Sequence, residues 1–156
     1  MGDGSLQAVR AAKAVEVPRL DDQLCFLFHA TARAFTEAYR PALTKLGLTY
    51  PQYLVLLVLW EQDGLTVGDI GERLYLDSGT LTPLLKRLEA RGVVVRKRDL
   101  VDERLVRVQL TKAGMQLRRA AQSVPQSLSC KLSLSPRVVE ALRNGMDEII
   151  RSLKAE

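Results

Sequence analysis

The sequence is poor in aromatic residues, histidine and cysteine, and these shortages exclude several classes of protein. Aromatic side chains make up 5% of its 156 residues, and there is one histidine. A single histidine cannot supply a multi-histidine metal site within one chain. The two cysteines, Cys25 and Cys130, are too few for a disulfide framework or a four-thiolate zinc site. We therefore expect a cytoplasmic protein with both thiols reduced at rest and no metal or cofactor.

Long apolar runs are also missing. The longest covers residues 53–60, and eight residues are too few to span a bilayer. The first seventeen residues lack an apolar core of signal-peptide length. What remains is 47% hydrophobic and 26% charged residues, which is typical of one ordinary globular domain. The net charge of +5 permits an acidic partner but does not demonstrate one.

Apolar residues spaced three and four apart predict two helices in the first part of the chain. The first begins after Pro18, and Pro41 is expected to kink or break it. The second begins at Thr49, which forms a capping box with Gln52, and it tolerates Pro51 in its first turn. The run that follows is apolar nearly all round, which predicts a buried central helix.

A helix-turn-helix pattern and a hairpin come next. A short helix follows Thr66, and a second opens at Ser78 as its N-cap and runs to about Arg91, with Gly92 as its stop. Residues 93–98 and 104–110 are rich in valine and read as two strands of a wing.

The C-terminal part predicts further helices. Thr111 caps a fifth helix, residues 123–135 look less regular, and Ser135 caps a final helix with Pro136 at its first position. The final helix has a clean apolar stripe, which favours a second subunit as its partner, although packing on the chain's own helices is the alternative. We expect a mainly α fold with a small β-hairpin, a winged helix-turn-helix that forms a homodimer through its N- and C-terminal helices. Residues 1–17 would be a flexible arm, 18–48 and 112–156 the dimerisation region, and 49–111 the DNA-binding region.

Positive charge is concentrated on the second helix of the pair and on the hairpin. Residues 86–107 hold eight basic and four acidic residues, so this segment alone supplies +4. DNA binding needs a helix for the major groove and cations that replace phosphate counterions. The alternative is a solvated basic face on an ordinary helical domain. We predict that the residues that contact DNA or position the wing are Ser78, Gly79, Thr80, Thr82, Pro83, Lys86, Arg87, Arg96, Arg98, Asp102 and Arg104.

Three stretches of the sequence resemble a known family. LTYPQYLVLLVLWE, IGERLYLDSGTLTPLLKRLEARG and DERLVRVQLTKAG resemble the MarR family of transcription regulators. The segment LDDQLCFLFHATARAF, which holds Cys25, is similar to the sensor helix of one branch, the organic hydroperoxide resistance regulators. The resemblance covers about residues 20–153 and implies a dimeric repressor of a palindromic double-stranded DNA operator.

The resemblance also implies roles for individual residues. Cys25 would be the redox sensor, with Tyr39 and Tyr50 as hydroxyl donors to its thiolate across the dimer. Cys130 would match the resolving cysteine of the two-cysteine form and would close a disulfide with Cys25. We expect this disulfide to join Cys25 of one subunit to Cys130 of the other. An organic hydroperoxide would be the inducer. The wall of the pocket would come from Leu24, Phe28, Phe35, Leu54 and Leu57.

The residues themselves leave alternatives open. Cys25 lies about one turn into the first helix, where the helix dipole favours a thiolate, but cysteine is also often simply buried. A regulator relieved by a small phenolic ligand without cysteine chemistry is one rival. A thiol peroxidase with His29 as base is another, although we read His29 as a packing or solvent-facing residue and predict no enzyme. A purely structural DNA-binding protein is the third.

Overall fold

A computed structural model describes residues 17–129 and 132–155 of the chain. The chain divides into two compact units, one ending at Arg33 and the other beginning at Ala34. In the first unit, a 3-10 helix over Leu20–Asp22 precedes the start of helix α1 (Leu24–Lys45).

Helix α1 continues through Pro41, so a break at this residue, one of the two predicted outcomes, is wrong, while a kink stays a prediction. A proline inside a helix removes one backbone hydrogen bond, but neighbouring packing can compensate. Here Leu43 is buried in the core two residues later, and Ala42 and Leu46 pack against that core. The burial of this last turn holds the helix together up to Lys45.

Helix α2 (Tyr50–Glu61) is the buried centre of the second unit, as the sequence predicts. Seven of its twelve residues are buried. The side-chain Oε1 of Gln52 accepts a hydrogen bond from the Thr49 backbone N–H at 2.9 Å, which confirms the capping box. Pro51 occupies the first turn, where its missing N–H costs nothing.

Helices α3 (Val67–Leu74) and α4 (Ser78–Ala90) form the predicted helix-turn-helix. A Cβ on Gly71 would lie 2.7 Å from the Leu76 carbonyl oxygen, so the tight turn requires glycine there. The N-cap of α4 is Asp77 rather than Ser78, because the Asp77 carboxylate accepts the Thr80 N–H at 2.8 Å. The prediction of Ser78 as the cap is therefore wrong by one residue.

The wing is an antiparallel pair of strands, β1 (Val94–Arg98) and β2 (Val106–Leu110), in which Val94 faces Leu110. Both strands are slightly shorter than predicted. β2 is also tied to the loop before α3, because the Val108 N–H donates to the Leu65 carbonyl at 2.8 Å. Val94 and Val108 are fully buried and attach the wing to the core.

Three further helices complete the described chain: α5 (Lys112–Ala120), α6 (Val124–Ser129) and α7 (Pro136–Leu153). Thr111 caps α5 and Ser135 caps α7, as predicted. A 3-10 turn over Ala121–Ser123 precedes the short α6. Residues 124–129 of the segment expected to be less regular are therefore helical, while residues 132–134 belong to no helix or strand, as expected.

The core joins α2, α3, α4, the wing and the end of α1. Its fully buried large side chains are Leu43, Val55, Leu56, Leu59, Ile70, Leu81, Leu85, Leu88, Val94, Val108 and Val124. Because α4 and both strands contribute to one core, the helix-turn-helix and the wing are held in a fixed relation.

No single helix within the described residues is long and apolar enough to cross a membrane. Helices α1 and α2 reach that length and apolarity only as a pair bent by 74°.

Candidate DNA interface and redox site

Helix α4 presents most of the residues predicted to contact DNA. Ser78, Gly79, Thr80, Pro83, Lys86 and Arg87 are exposed, and Thr82 is half-buried. The Thr80 hydroxyl donates to Asp77 Oδ2 at 2.7 Å, so the N-cap carboxylate fixes the first turn of the helix. Hydrogen bonds from Thr80 lower the pKa of Asp77 and keep this cap charged.

At the end of the wing, Asp102 and Arg104 form the predicted pair. Arg104 donates from Nε to Oδ1 at 3.0 Å and from Nη2 to Oδ2 at 2.9 Å, a bidentate arrangement. These hydrogen bonds lower the pKa of Asp102. The Arg104 side chain is 90% exposed, so its guanidinium is oriented yet open to a partner.

Arg96 and Arg98 have different surroundings. Arg98 is exposed on β1. The Arg96 guanidinium instead donates to Glu89 of α4 through Nε at 2.9 Å and Nη2 at 2.6 Å. The Arg96 backbone N–H donates to the same carboxylate at 3.1 Å. Arg96 therefore ties the wing to α4, and any DNA contact that it makes must share this guanidinium with Glu89.

Sequence reasoning missed the residue that organises the wing loop, Asp99. Its Oδ1 accepts hydrogen bonds from the backbone N–H groups of Val101, at 2.8 Å, and Asp102, at 3.0 Å. Its Oδ2 accepts a hydrogen bond from Nε of Arg107. These bonds lower the pKa of Asp99 to about 2. An aspartate two and three residues before the amides it binds is a local signal that could have identified this turn.

Arg91, at the end of α4, was also missed. Its guanidinium donates to the backbone carbonyls of Leu46, at 3.1 Å, and of Gly47. Forty-four residues separate Arg91 from Gly47 in the chain, so no local pattern indicates the contact. Arg91 thereby satisfies carbonyl groups just beyond the end of α1.

Tyr39 and Tyr50, predicted to assist the sensor thiol, lie together. Their rings stack with centroids 5.3 Å apart, and the Tyr53 ring lies 6.2 Å from that of Tyr39. Burial raises the pKa of both Tyr39 and Tyr50. Both phenols therefore keep their protons at neutral pH and can donate hydrogen bonds.

Cys25 is the second residue of α1, not a residue one turn into it as predicted, because the helix begins at Leu24 and not directly after Pro18. The Cys25 thiol is free and exposed. In the same unit Leu24 is exposed, Phe28 is half-buried and His29 is exposed, which fits the solvent-facing reading of the histidine. In the second unit Phe35, Leu54 and Leu57 are half-buried. Cys130 lies outside the described residues, so its resolving role stays a prediction, as does the pocket around Cys25.

Comparisons with known proteins assign the family. A family model described as transcriptional regulator SarA/Rot matches residues 37–120. The organic hydroperoxide resistance transcriptional regulator of Bacillus subtilis (strain 168) is 45% identical over 86% of this chain and 92% of its own length. The chain belongs to the SarA/Rot/MarR-type winged-helix family of transcriptional regulators.

Two solved structures of one family member are similar to this chain. Reduced AbfR bound to DNA is 39% identical, with a TM-score of 0.75, over 88% of this chain and 94% of that one. Disulfide-formed AbfR is 42% identical, with a TM-score of 0.60, over 85% and 93%. The matching family model and the Bacillus subtilis relative are both described as transcriptional regulators, so the protein is a transcriptional regulator and not an enzyme. Within the described residues, no cluster of three or more histidine, cysteine or carboxylate side chains could hold a metal ion.

Proposed function

We propose that the protein is a peroxide-sensing repressor whose dimer binds a palindromic operator in the reduced state. The observation that carries the proposal is the exposed, free thiol of Cys25 at the start of α1. Support comes from the Bacillus subtilis relative named for organic hydroperoxide resistance, and from AbfR, which is described in a reduced DNA-bound form and in a disulfide form.

DNA binding would use α4 and the wing of each subunit. Exposed Lys86, Arg87, Arg98 and Arg104 would replace counterions, and the hydroxyls near the N-terminus of α4 would face the duplex. In a two-fold dimer the two α4 helices must lie roughly 34 Å apart to enter successive major grooves. Any change in that spacing therefore weakens binding.

The chemistry would begin at Cys25. Its thiolate attacks one oxygen of an organic hydroperoxide, the O–O bond breaks, and the alcohol leaves after taking up a proton. The resulting sulfenic acid condenses with the thiol of Cys130, of the other subunit, to give a disulfide and water. Tyr39 and Tyr50 of the dimer would stabilise the thiolate by donating hydrogen bonds. An apolar organic hydroperoxide would be favoured by the apolar side chains of the predicted pocket, Leu24, Phe28, Phe35, Leu54 and Leu57.

Release would be mechanical. A disulfide requires Cα atoms within roughly 7 Å, so its formation pulls on the helices that carry the cysteines. The winged domains then lose the spacing that two half-sites demand. A release of about 1000-fold needs only about 4 kcal/mol of differential binding.

The test is a gel-shift assay with a duplex that the reduced protein enriches from a random-sequence library. The native protein should bind this duplex and release it after one equivalent of cumene hydroperoxide. Cys25→Ser should bind equally well and stay bound after the same treatment. Release of the Cys25→Ser variant by the peroxide would contradict the sensor role.

The matched control for Cys25 is Cys130. Cys130→Ser should still form a sulfenic acid, detected with dimedone, but no disulfide-linked dimer on a non-reducing gel. A disulfide-linked dimer in this variant would exclude Cys130 as the resolving residue. Tyr39→Phe and Tyr50→Phe should slow sulfenic acid formation, and unchanged rates would remove both from the mechanism.

A ligand-relieved regulator is the second candidate, and one observation favours it. A cleft of about 480 Å³ lies beside Ala42, Lys45, Leu46, Ala120 and Ser123. Alanine, leucine and valine side chains give the cleft apolar walls, and Lys45, Ser123 and Gln126 add polar groups, a combination that suits a small phenolic ligand. Under this candidate Cys25→Ser is still released by the inducer, so the same variant separates the two.

A further inference from the structure

The turn between α1 and α2 connects the two tyrosines of the proposed redox site. Tyr39 lies on α1 and Tyr50 is the first residue of α2, and their rings stack. The turn is bonded to the end of α1, because the Leu46 and Leu48 N–H groups both donate to the Leu43 carbonyl, at 3.0 and 2.9 Å. Leu43 and Leu48 are also buried in the core. A displacement of either tyrosine therefore moves the turn with it.

Arg91 connects this turn to the end of α4. Its Nη2 donates to the Leu46 carbonyl at 3.1 Å, and its Nη1 donates to the Gly47 carbonyl. A Cβ on Gly47 would lie 2.8 Å from Nη2, so the guanidinium fits against the turn only because residue 47 has no side chain. A guanidinium that donates to two acceptors at once fixes their direction as well as their distance.

The backbone of Arg91 is held by the last turn of α4. Its N–H donates to the Arg87 carbonyl at 3.2 Å, and the Val93 N–H donates to the Leu88 carbonyl at 3.0 Å. The Leu88 side chain is fully buried in the core. Because hydrogen bonds and burial keep this end of α4 intact, a displacement of the Arg91 guanidinium acts on the whole helix.

Oxidation changes what the two tyrosines bind. In the proposed reduced state their hydroxyls donate to the Cys25 thiolate, and neither a sulfenic acid nor a disulfide carries that negative charge. A conformational change requires contacts whose free energy differs between the two states, and the loss of these hydrogen bonds supplies such a difference. The turn between the tyrosines is then displaced, and Arg91 is its contact with the helix that enters the major groove.

We propose that Arg91 is the positioning residue that transmits the redox state of Cys25 from the α1–α2 turn to α4. The proposal rests on the peroxide-dependent repression proposed above. It assigns the transmission to a residue that neither reacts with peroxide nor contacts DNA, so the two activities can be separated from their coupling.

The test compares reduced and peroxide-treated protein in the gel shift with the enriched duplex. Arg91→Gln removes the forked contact, and Gly47→Ala displaces the guanidinium while its charge is kept. Both reduced variants should bind within about threefold of the native affinity, yet cumene hydroperoxide should release them only about 30-fold instead of about 1000-fold. The double variant should behave like either single variant, because both changes break the same contact. Dimedone labelling should show sulfenic acid formation at the native rate.

Arg40→Gln is the matched control, since it removes an exposed arginine whose ion pair with Glu37 stays within α1. This variant should be released like the native protein. Native-like release of both Arg91→Gln and Gly47→Ala overturns the inference, while the peroxide-sensing function stands.

Three other results would also overturn the inference. If the affinity of the reduced variants falls as much as the release ratio, Arg91 only supports the DNA-binding conformation. If the slope of log Kd against log salt concentration falls by about one in Arg91→Gln alone, Arg91 contacts a phosphate. Slower sulfenic acid formation would place Arg91 in the chemistry of Cys25. If the native protein itself stays bound after cumene hydroperoxide, the proposed function fails, and the inference with it.

Discussion

At the scale of single residues, Asp99 joins the two strands of the wing to the loop between them. Its side chain is buried from solvent, and its carboxylate accepts hydrogen bonds from two backbone amides and from the Arg107 guanidinium. Arg107 also donates to the Gly64 carbonyl at 3.0 Å, so the same ion pair reaches the segment before α3. One charged side chain thus determines the shape of the tip.

The lowered pKa of Asp99 predicts a pH dependence of stability. Its folded-state pKa is about 2 against an ordinary value of 3.8, so its contribution is complete above about pH 4 and is lost as the pH falls towards 2. Asp99→Asn should therefore lower Tm by roughly a few degrees at pH 7, and the difference from the native protein should shrink between pH 4 and pH 2. Thermal unfolding followed by circular dichroism checks this.

Glu103→Gln is the control for that experiment, because it removes a carboxylate of the same loop that accepts none of these bonds. Its Tm should follow that of the native protein across the pH range. A Tm difference for Asp99→Asn that stays constant down to pH 2 would contradict the assignment.

Residue contacts could be predicted only where they are local. The capping box at Thr49 follows from its spacing of three residues to Gln52, and it forms. Thr66 and Asp69 have the same spacing, and the Thr66 N–H donates to the Asp69 carboxylate at 2.9 Å. At the start of α4, Asp77 and Ser78 are both good caps, and only the backbone geometry decides between them. Arg91 reaches carbonyls that are distant in the chain, which spacing cannot reveal.

At the scale of elements, the junction between α5 and the wing depends on Gly114. A Cβ there would lie 2.3 Å from the Val93 carbonyl oxygen and 3.0 Å from Leu110 Cδ2. The Gly114 carbonyl accepts the indole N–H of Trp60 from α2 at 3.0 Å. Helix α5 therefore packs against the base of the wing only because this residue has no side chain.

Replacement of this glycine tests the junction. Gly114→Ala should reduce the free energy of unfolding by about 2–3 kcal/mol, because the added methyl group meets backbone that cannot yield. Gly68→Ala in α3 is the matched control, since its added Cβ meets only the Thr66 hydroxyl at 3.7 Å. Urea unfolding should show Gly68→Ala at least as stable as the native protein. Equal stability of the two variants would contradict this account.

Elements were predictable where one pattern dominates. Helix α2, the helix pair and the hairpin follow from apolar periodicity, caps and valine-rich runs. Pro41 shows the limit, because the sequence gives the cost of a proline while the burial of Leu43 that offsets it is a tertiary contact. Helix α6, with Pro125 in its first turn, is too short for its periodicity to be recognised.

At the scale of the whole molecule, α7 has an apolar face without a partner in the described chain. No residue of this eighteen-residue helix is buried. Its large apolar side chains Val138, Val139, Leu142 and Met146 are 37–48% exposed. A helix with such a stripe gains stability by packing it against another surface, and a second copy of the chain supplies an identical stripe. The predicted homodimer rests on this face.

Leu142→Glu places a charge in the middle of that stripe. We expect the native protein to sediment as a dimer and the variant as a monomer, because burying an unpaired carboxylate costs more than the interface gains. Its affinity for the enriched duplex should fall at least about 100-fold, since a single subunit binds only one half-site. Asn144→Glu, on the opposite side of the helix, should leave both properties unchanged. If Leu142→Glu stays dimeric and binds the enriched duplex normally, α7 does not form the dimer interface. The disulfide formed by Cys130, which precedes α7 in the chain, would then have to change the spacing of the two α4 helices through another element.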